Sequence, residues 1–269
     1  MAAKAIMDHL PKATRPCVAV TTFFPEVASF HENERRKGVD ALRFVLRLVE
    51  VLNTQHNCRI QSIEMVGGSV VSDIEWRLVP TPDTEARGVK ADLFEAHRHN
   101  KHNAHERLYC SLEDLAREIP SGVTLALELE PGPLCAISKY GDLVELHELL
   151  SAKKCSFGGR IGFNCDIAHF MLAGITPEIL LEEQAGPVDR IVGFHLSDIG
   201  NGHFHDLVPG LARASEVFLR WQKVIDAARA SQINEGRAGL LMSLELERAL
   251  GMTAVRQGVE KMRELFLTS

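Results

Sequence analysis

The chain has 269 residues, 45% of them hydrophobic and 25% charged, the composition of an ordinary globular domain. With 36 acidic against 30 basic side chains it carries a formal charge of −6, which gives no general attraction for phosphate backbones and argues against a nucleic-acid partner. No apolar run approaches the roughly 18–20 residues of a membrane span, and the opening MAAKAIMDHLPKATRP lacks the apolar segment of a secretory signal.

Six cysteines, Cys17, Cys58, Cys110, Cys135, Cys155 and Cys165, form no Cys-x-x-Cys pair. They read as reduced thiols and, with no signal segment, predict a cytoplasmic protein.

In chain order, short apolar runs alternate with longer amphipathic stretches. CVAVTT (17–22) predicts a first strand. GVDALRFVLRLVEVLN (38–53) predicts a helix, because Leu42, Val45, Leu46, Val49 and Leu52 recur at three- and four-residue steps and form one stripe. RIQSIEMV (59–66) predicts the second strand. Residues 67–105 are less regular. The glycines of MVGGSVV (65–71) suit a strand-to-loop turn better than a phosphate cradle, and SDIEWRLVP (72–80) is a seventh strand candidate. EAHRHNKHNAH (95–105) reads as a solvated helix or loop in which His102 and His105 can share a face.

SLEDLAREI (111–119) opens with Ser111 and Asp114 at capping-box spacing. VTLALE (123–128), RIGFNCD (160–166), RIVGFHL (190–196) and LLMSLE (240–245) predict four further strands. Among them lie helical patterns at TPEILLEEQ (176–184), with Thr176 as cap and Pro177 in the first turn, at SEVFLRWQKVIDAARA (215–230) and at TAVRQGVEKMRELF (253–266). Trp76 and Trp221 are expected in or near the core, and Lys153, Lys154 and Arg160 as surface charge.

The strand runs are nearly continuous, as parallel strands buried on both faces require. Their alternation with helices specifies an α/β fold with right-handed crossovers. No Pro/Gly-rich linker divides the chain, so residues 1–269 are expected to form a single domain. The length suits a TIM-type (β/α)8 barrel, which takes about 250 residues. Six clear strands imply an irregular or missing strand in the first half.

In such a barrel the active site gathers at the carboxyl ends of the strands. Four successive strands here finish in metal-competent or acid–base side chains: Glu128 with Glu130 beyond it, Asp166 with His169, His195 with Asp198, and Glu245 with Glu247. One acid at a strand end means little. Four converging on a barrel mouth call for a divalent cation to neutralise them. Three carboxylates and one imidazole form a mostly hard donor set, which predicts one divalent metal ion, Mn²⁺, Mg²⁺, Co²⁺ or Zn²⁺, rather than a closed cysteine zinc site. Residues two apart on a strand share a face, so either glutamate of LELE (127–130) and of LELE (244–247) could be the ligand. The first of each pair is preferred, because the aliphatic strand stops there.

The ordered set LALELEPG, FNCDIAHF, FHLSDIGNGHFHDLVPG and MSLELE, within roughly residues 120–247, resembles the xylose-isomerase-like TIM-barrel superfamily. That group holds ketose epimerases, hydroxypyruvate isomerases, inosose dehydratases and the endonuclease IV type of nuclease. The resemblance implies that Glu128, Asp166, His195 and Glu245 are metal ligands, that Glu128 and Glu245 are the catalytic proton-transfer pair, and that His169 contacts substrate. In the first half only IEMVGGS (63–69) resembles the family. His203 and His205 lie where the nuclease branch places an Asp-x-His pair for a further metal; a solvated loop is the plainer reading, and His205 is the preferred substrate contact.

Three functions follow from this resemblance. The first is an isomerase or epimerase of a small hydroxy-carbonyl compound, a sugar or sugar acid, in which the metal chelates substrate oxygens and two glutamates move a proton through an enediolate. The second is a metal-dependent hydrolase or lyase of the endonuclease IV type, favoured by His203 and His205 and disfavoured by the acidic balance. The third is a metal-binding barrel without turnover. The expected partner is a carbohydrate-like small molecule, and homo-oligomerisation is left open.

Overall fold

A computed structural model describes residues 18–56, 58–70, 103–132, 134–152, 158–182, 186–200, 203–207, 216–234, 239–245 and 252–264. The chain divides into two units, one of Met1–Glu128, Gly132–Ile137 and Glu148–Gly162, the other of Leu129–Pro131, Ser138–His147 and Phe163–Ser269.

In the first unit β1 (Ala19–Thr22), β2 (Ser62–Val66) and β3 (Thr124–Glu128) pair in parallel, with Val20 opposite Ile63 and Val66 opposite Glu128. Every residue of β2 is buried, which is why its sequence is a continuous run. At the end of β2 the chain turns at Gly68, whose φ of +95° favours glycine. A Cβ on Gly67 would lie 2.4 Å from the Ile137 side chain, so the glycine pair makes a tight turn, as the sequence suggests.

Helix α1 (Glu32–Gln55) contains the predicted 38–53 but starts earlier, over a charged stretch. There Glu32 and Glu34 suit the helix N-terminus, and Arg35 and Arg36 reach Glu32 at 2.8 and 2.7 Å. Leu42, Leu46, Val49 and Leu52 form the buried stripe.

Helix α2 covers residues 103–116 and corrects the reading of 111–119. Ser111 is interior to it, its hydroxyl 2.7 Å from the Val27 carbonyl and 3.1 Å from that of Arg107. Ala104, Leu108, Leu112 and Leu115 line its buried face. His105, expected on a solvated segment, is buried with Nε2 2.8 Å from the Ala136 carbonyl. Arg160 is more than surface charge: its guanidinium donates to the carbonyls of Ala116 and Ile119 at 3.3 and 3.2 Å, at the end of α2.

In the second unit β4 (Ile161–Asp166) from Phe163 onward, β5 (Ile191–Leu196) and a later strand, β8 (Leu241–Leu244), pair in parallel. Two elements escaped the sequence reading. Helix α3 (Tyr140–Ser151) follows a cap in which Asp142 accepts from the N–H groups of Ser138 and Lys139 at 2.9 and 3.2 Å. The second is an antiparallel ribbon of β6 (Asp198–Gly200) and β7 (His203–Leu207). Short helices α4 (Ile167–Leu172) and α5 (Pro177–Glu182) follow β4; Thr176 accepts from the Ile179 N–H at 3.4 Å with Pro177 in the first turn, as the spacing predicts.

Helix α6 (Glu216–Asn234) buries Trp221, Val224, Ile225 and Ala228, and Trp221 meets Phe170 of α4 edge-on at 6.1 Å between ring centroids. Helix α7 (Met252–Met262) is the last element. The strand candidate 72–80, Trp76, His102, Lys153 and Lys154 lie outside the described residues. Among the described residues no helix is long and apolar enough to cross a membrane.

Candidate metal centre

Parallel register decides where the acid–base side chains go. Asp166 pairs with His195 and His195 with Ser243, so the three share one face of their strands. Glu245, two residues beyond Ser243, follows directly on β8, and its N–H reaches the Leu196 carbonyl at 3.4 Å. Ligand atoms of Asp166, His195 and Glu245 therefore lie within 4.8 Å of one another. His195 Nδ1 and Glu245 Oε2 stand 2.6 Å apart.

Asp166 has a second task. It ends β4 and caps α4, its Oδ1 accepting from the His169 N–H at 2.9 Å. Aspartate is among the favoured N-cap residues, so one side chain both closes the strand and opens the helix. That cap fixes His169, which is buried, with Nδ1 3.0 Å from the Leu129 carbonyl. A ring nitrogen facing a carbonyl carries the proton, which leaves Nε2 as the acceptor. Glu130 stands 3.7 Å from the same Nδ1.

Burial pushes the Glu245 carboxyl up, but hydrogen bonds with His195 and Asp166 outweigh it and hold it at about 2. An ionised, mostly buried carboxylate beside a second carboxylate and an imidazole is a suitable donor set for a divalent cation. Two donors on one ion, each about 2.1 Å from it, stand roughly 3–4 Å apart, which this spacing admits with small adjustment.

The other sequence candidates are distributed as follows. Glu128 is the last residue of β3, in the first unit, and is buried. Asp198 lies on β6 opposite Leu207, and His203 and His205 lie on β7, with His203 opposite Gly200. Glu247 falls outside the described residues. Two polar residues near the centre were not singled out from sequence: Asn164 on β4 and Ser197 just after β5, both buried, with no hydrogen-bond partner for the Asn164 amide or the Ser197 hydroxyl among the described residues. A polar residue interrupting an apolar strand run, as Asn164 does in GFNC, is the signal that points to the first.

Comparison with solved structures shows the α/β-barrel fold. A D-tagatose 3-epimerase-like protein matches with a TM-score of 0.59 at 16% identity, over 98% of this chain and 81% of that one. The IolI protein, solved with a zinc atom bound, matches with a TM-score of 0.58 at 14% identity, over 98% and 81%. The 3-keto-D-glucoside 4-epimerase YcjR from E. coli matches with a TM-score of 0.55 at 15% identity, over 97% and 82%. No protein-family model and no curated protein matches the sequence.

Proposed function

We propose that the protein is a metal-dependent isomerase or epimerase of a small hydroxy-carbonyl compound, a sugar or sugar acid. The observation that carries this reading is the convergence of Asp166, His195 and Glu245 on one face at the carboxyl ends of their strands. These three would hold the ion, with Glu128 as fourth ligand by the order of strand ends along the chain. A divalent ion, once bound there, would polarise a substrate carbonyl.

The chain's own groups do the rest. Glu245, held ionised, takes the proton from the carbon next to the carbonyl, and Glu128 returns one. His169 offers Nε2 to a substrate hydroxyl because Nδ1 is engaged by the Leu129 carbonyl. His205 is the further substrate contact. The likeness to an epimerase-like protein and to a keto-glucoside epimerase supports the same chemistry.

The test is deuterium exchange from D₂O into a panel of ketoses and keto acids, read by NMR, with the metal-loaded wild type beside E245Q and E128Q. Exchange in the wild type that falls by orders of magnitude in each variant is expected. Undiminished exchange in both variants refutes the two-glutamate assignment.

A further inference from the structure

We propose that Asn164 is a positioning residue for the metal ligands, holding one buried water between its amide and the Asp166–His195 pair. The inference rests on the metal-site reading above and deepens it. Asn164 stands two residues before Asp166 on β4, and Gly193, its register partner, stands two before His195 on β5. The amide therefore occupies the same face one layer deeper.

There it is 1% exposed, and neither Nδ2 nor Oδ1 has a hydrogen-bond partner among the described residues. A buried amide without partners is disfavoured, and a leucine of similar size would fill the place at no such penalty. Gly193 is fitted to the amide. A Cβ at that position would come 2.8 Å from Asn164 Oδ1, so only glycine leaves the side chain its place over β5.

Two steps along a strand span roughly 6.6 Å, too far for short side chains to bond directly but within reach through one water. Such a water accepts a hydrogen bond from Nδ2 and donates one to the Asp166 carboxylate, which fixes that carboxylate's orientation. Groups that orient a metal ligand in this way typically contribute about 10–100-fold in metal affinity.

The test is Zn²⁺ titration against a chromophoric chelator, with urea unfolding of each metal-free protein measured in parallel. Wild type is expected to bind one equivalent. N164L, which keeps the volume and loses the donors, should bind about 10–100-fold more weakly while its metal-free unfolding midpoint stays level or rises. N164S, which leaves a hydroxyl and room for a second water, should recover most of the affinity. G193A retains the amide but displaces it, so it must show the same loss; it decides the matter if N164L does not fold.

Wild-type affinity in N164L or G193A overturns the inference, as does a loss that only follows metal-free stability. Wild type that takes up no zinc removes the metal site itself, and the inference with it.

Discussion

Asp166 caps a helix and, in the function proposed above, also holds the metal, and two substitutions separate the tasks. Asparagine ranks with aspartate as an N-cap, so D166N keeps an oxygen for the His169 N–H now held at 2.9 Å. Its metal-free stability should lie within about 0.5 kcal/mol of wild type. D166A removes the acceptor at a position with 0% exposure and leaves a buried N–H unsatisfied, which costs about 1–2 kcal/mol. Metal changes the ranking. At a concentration of 100 Kd an ion stabilises wild type by about 2.7 kcal/mol. D166N, having lost the ligand charge, should gain under half of that at the same concentration, and D166A less still. Urea unfolding followed by circular dichroism, with and without Zn²⁺, measures all six free energies. A metal-free D166N as unstable as D166A would refute the cap. Full zinc stabilisation in D166A would refute the ligand.

Glu245 gives the metal-free protein an acid dependence of definite sign. Its folded pKa of about 2 lies below the ordinary 4.5, so the stability it contributes is complete above pH 4.5 and is lost as pH falls towards 2. The shift corresponds to at most about 3–4 kcal/mol, and the advantage of wild type over E245Q should shrink steadily from pH 5 to pH 3. An advantage that stays constant over that range contradicts the assignment. Trp221→Ala empties a fully buried site against Phe170 and should cost about 3–5 kcal/mol in urea unfolding. A double-mutant cycle with Phe170→Leu should return a coupling of about 0.5–1.5 kcal/mol, and a cost for Trp221→Ala below 1 kcal/mol would mean that the ring is not a packing centre.

Strands β2 to β5 were legible because parallel strands buried on both faces leave an uninterrupted apolar run, and all six candidates appear with starts shifted by one to three residues. Helices were legible only where an apolar stripe ran unbroken. Helix α2 begins among histidines and charges, and its buried Ala104 and Leu108 are too sparse a start to announce it, so Ser111 looked like a cap when it is an interior residue bonded to Val27. Helix α3 was missed because its first turn carries Gly141 and Asp142, residues that read as a loop until Asp142 is seen accepting from Ser138 and Lys139. The ribbon β6–β7 was hidden for the opposite reason: HFHDL has no alternation of apolar and polar side chains to mark it as strand.

Period-two geometry also explains what the doubled glutamates left open. Glu128 and Glu130 share a face only while the strand continues, and β3 ends at Glu128; β8 likewise ends at Leu244, before Glu245. Past those ends the backbone no longer imposes alternation, and tertiary partners decide. For Glu245 the partner is His195, at 2.6 Å; for Glu130 it is His169, at 3.7 Å. The same geometry read in the other direction, two residues back from Asp166 and from His195, leads to Asn164 and Gly193. The strand periodicity that brings Asp166 and His195 together at the strand ends therefore also fixes which residues lie beneath them. A search for residues that tune such a site begins there, because a loop substitution can be absorbed by the loop, whereas a strand position two steps below a ligand cannot move without moving the ligand.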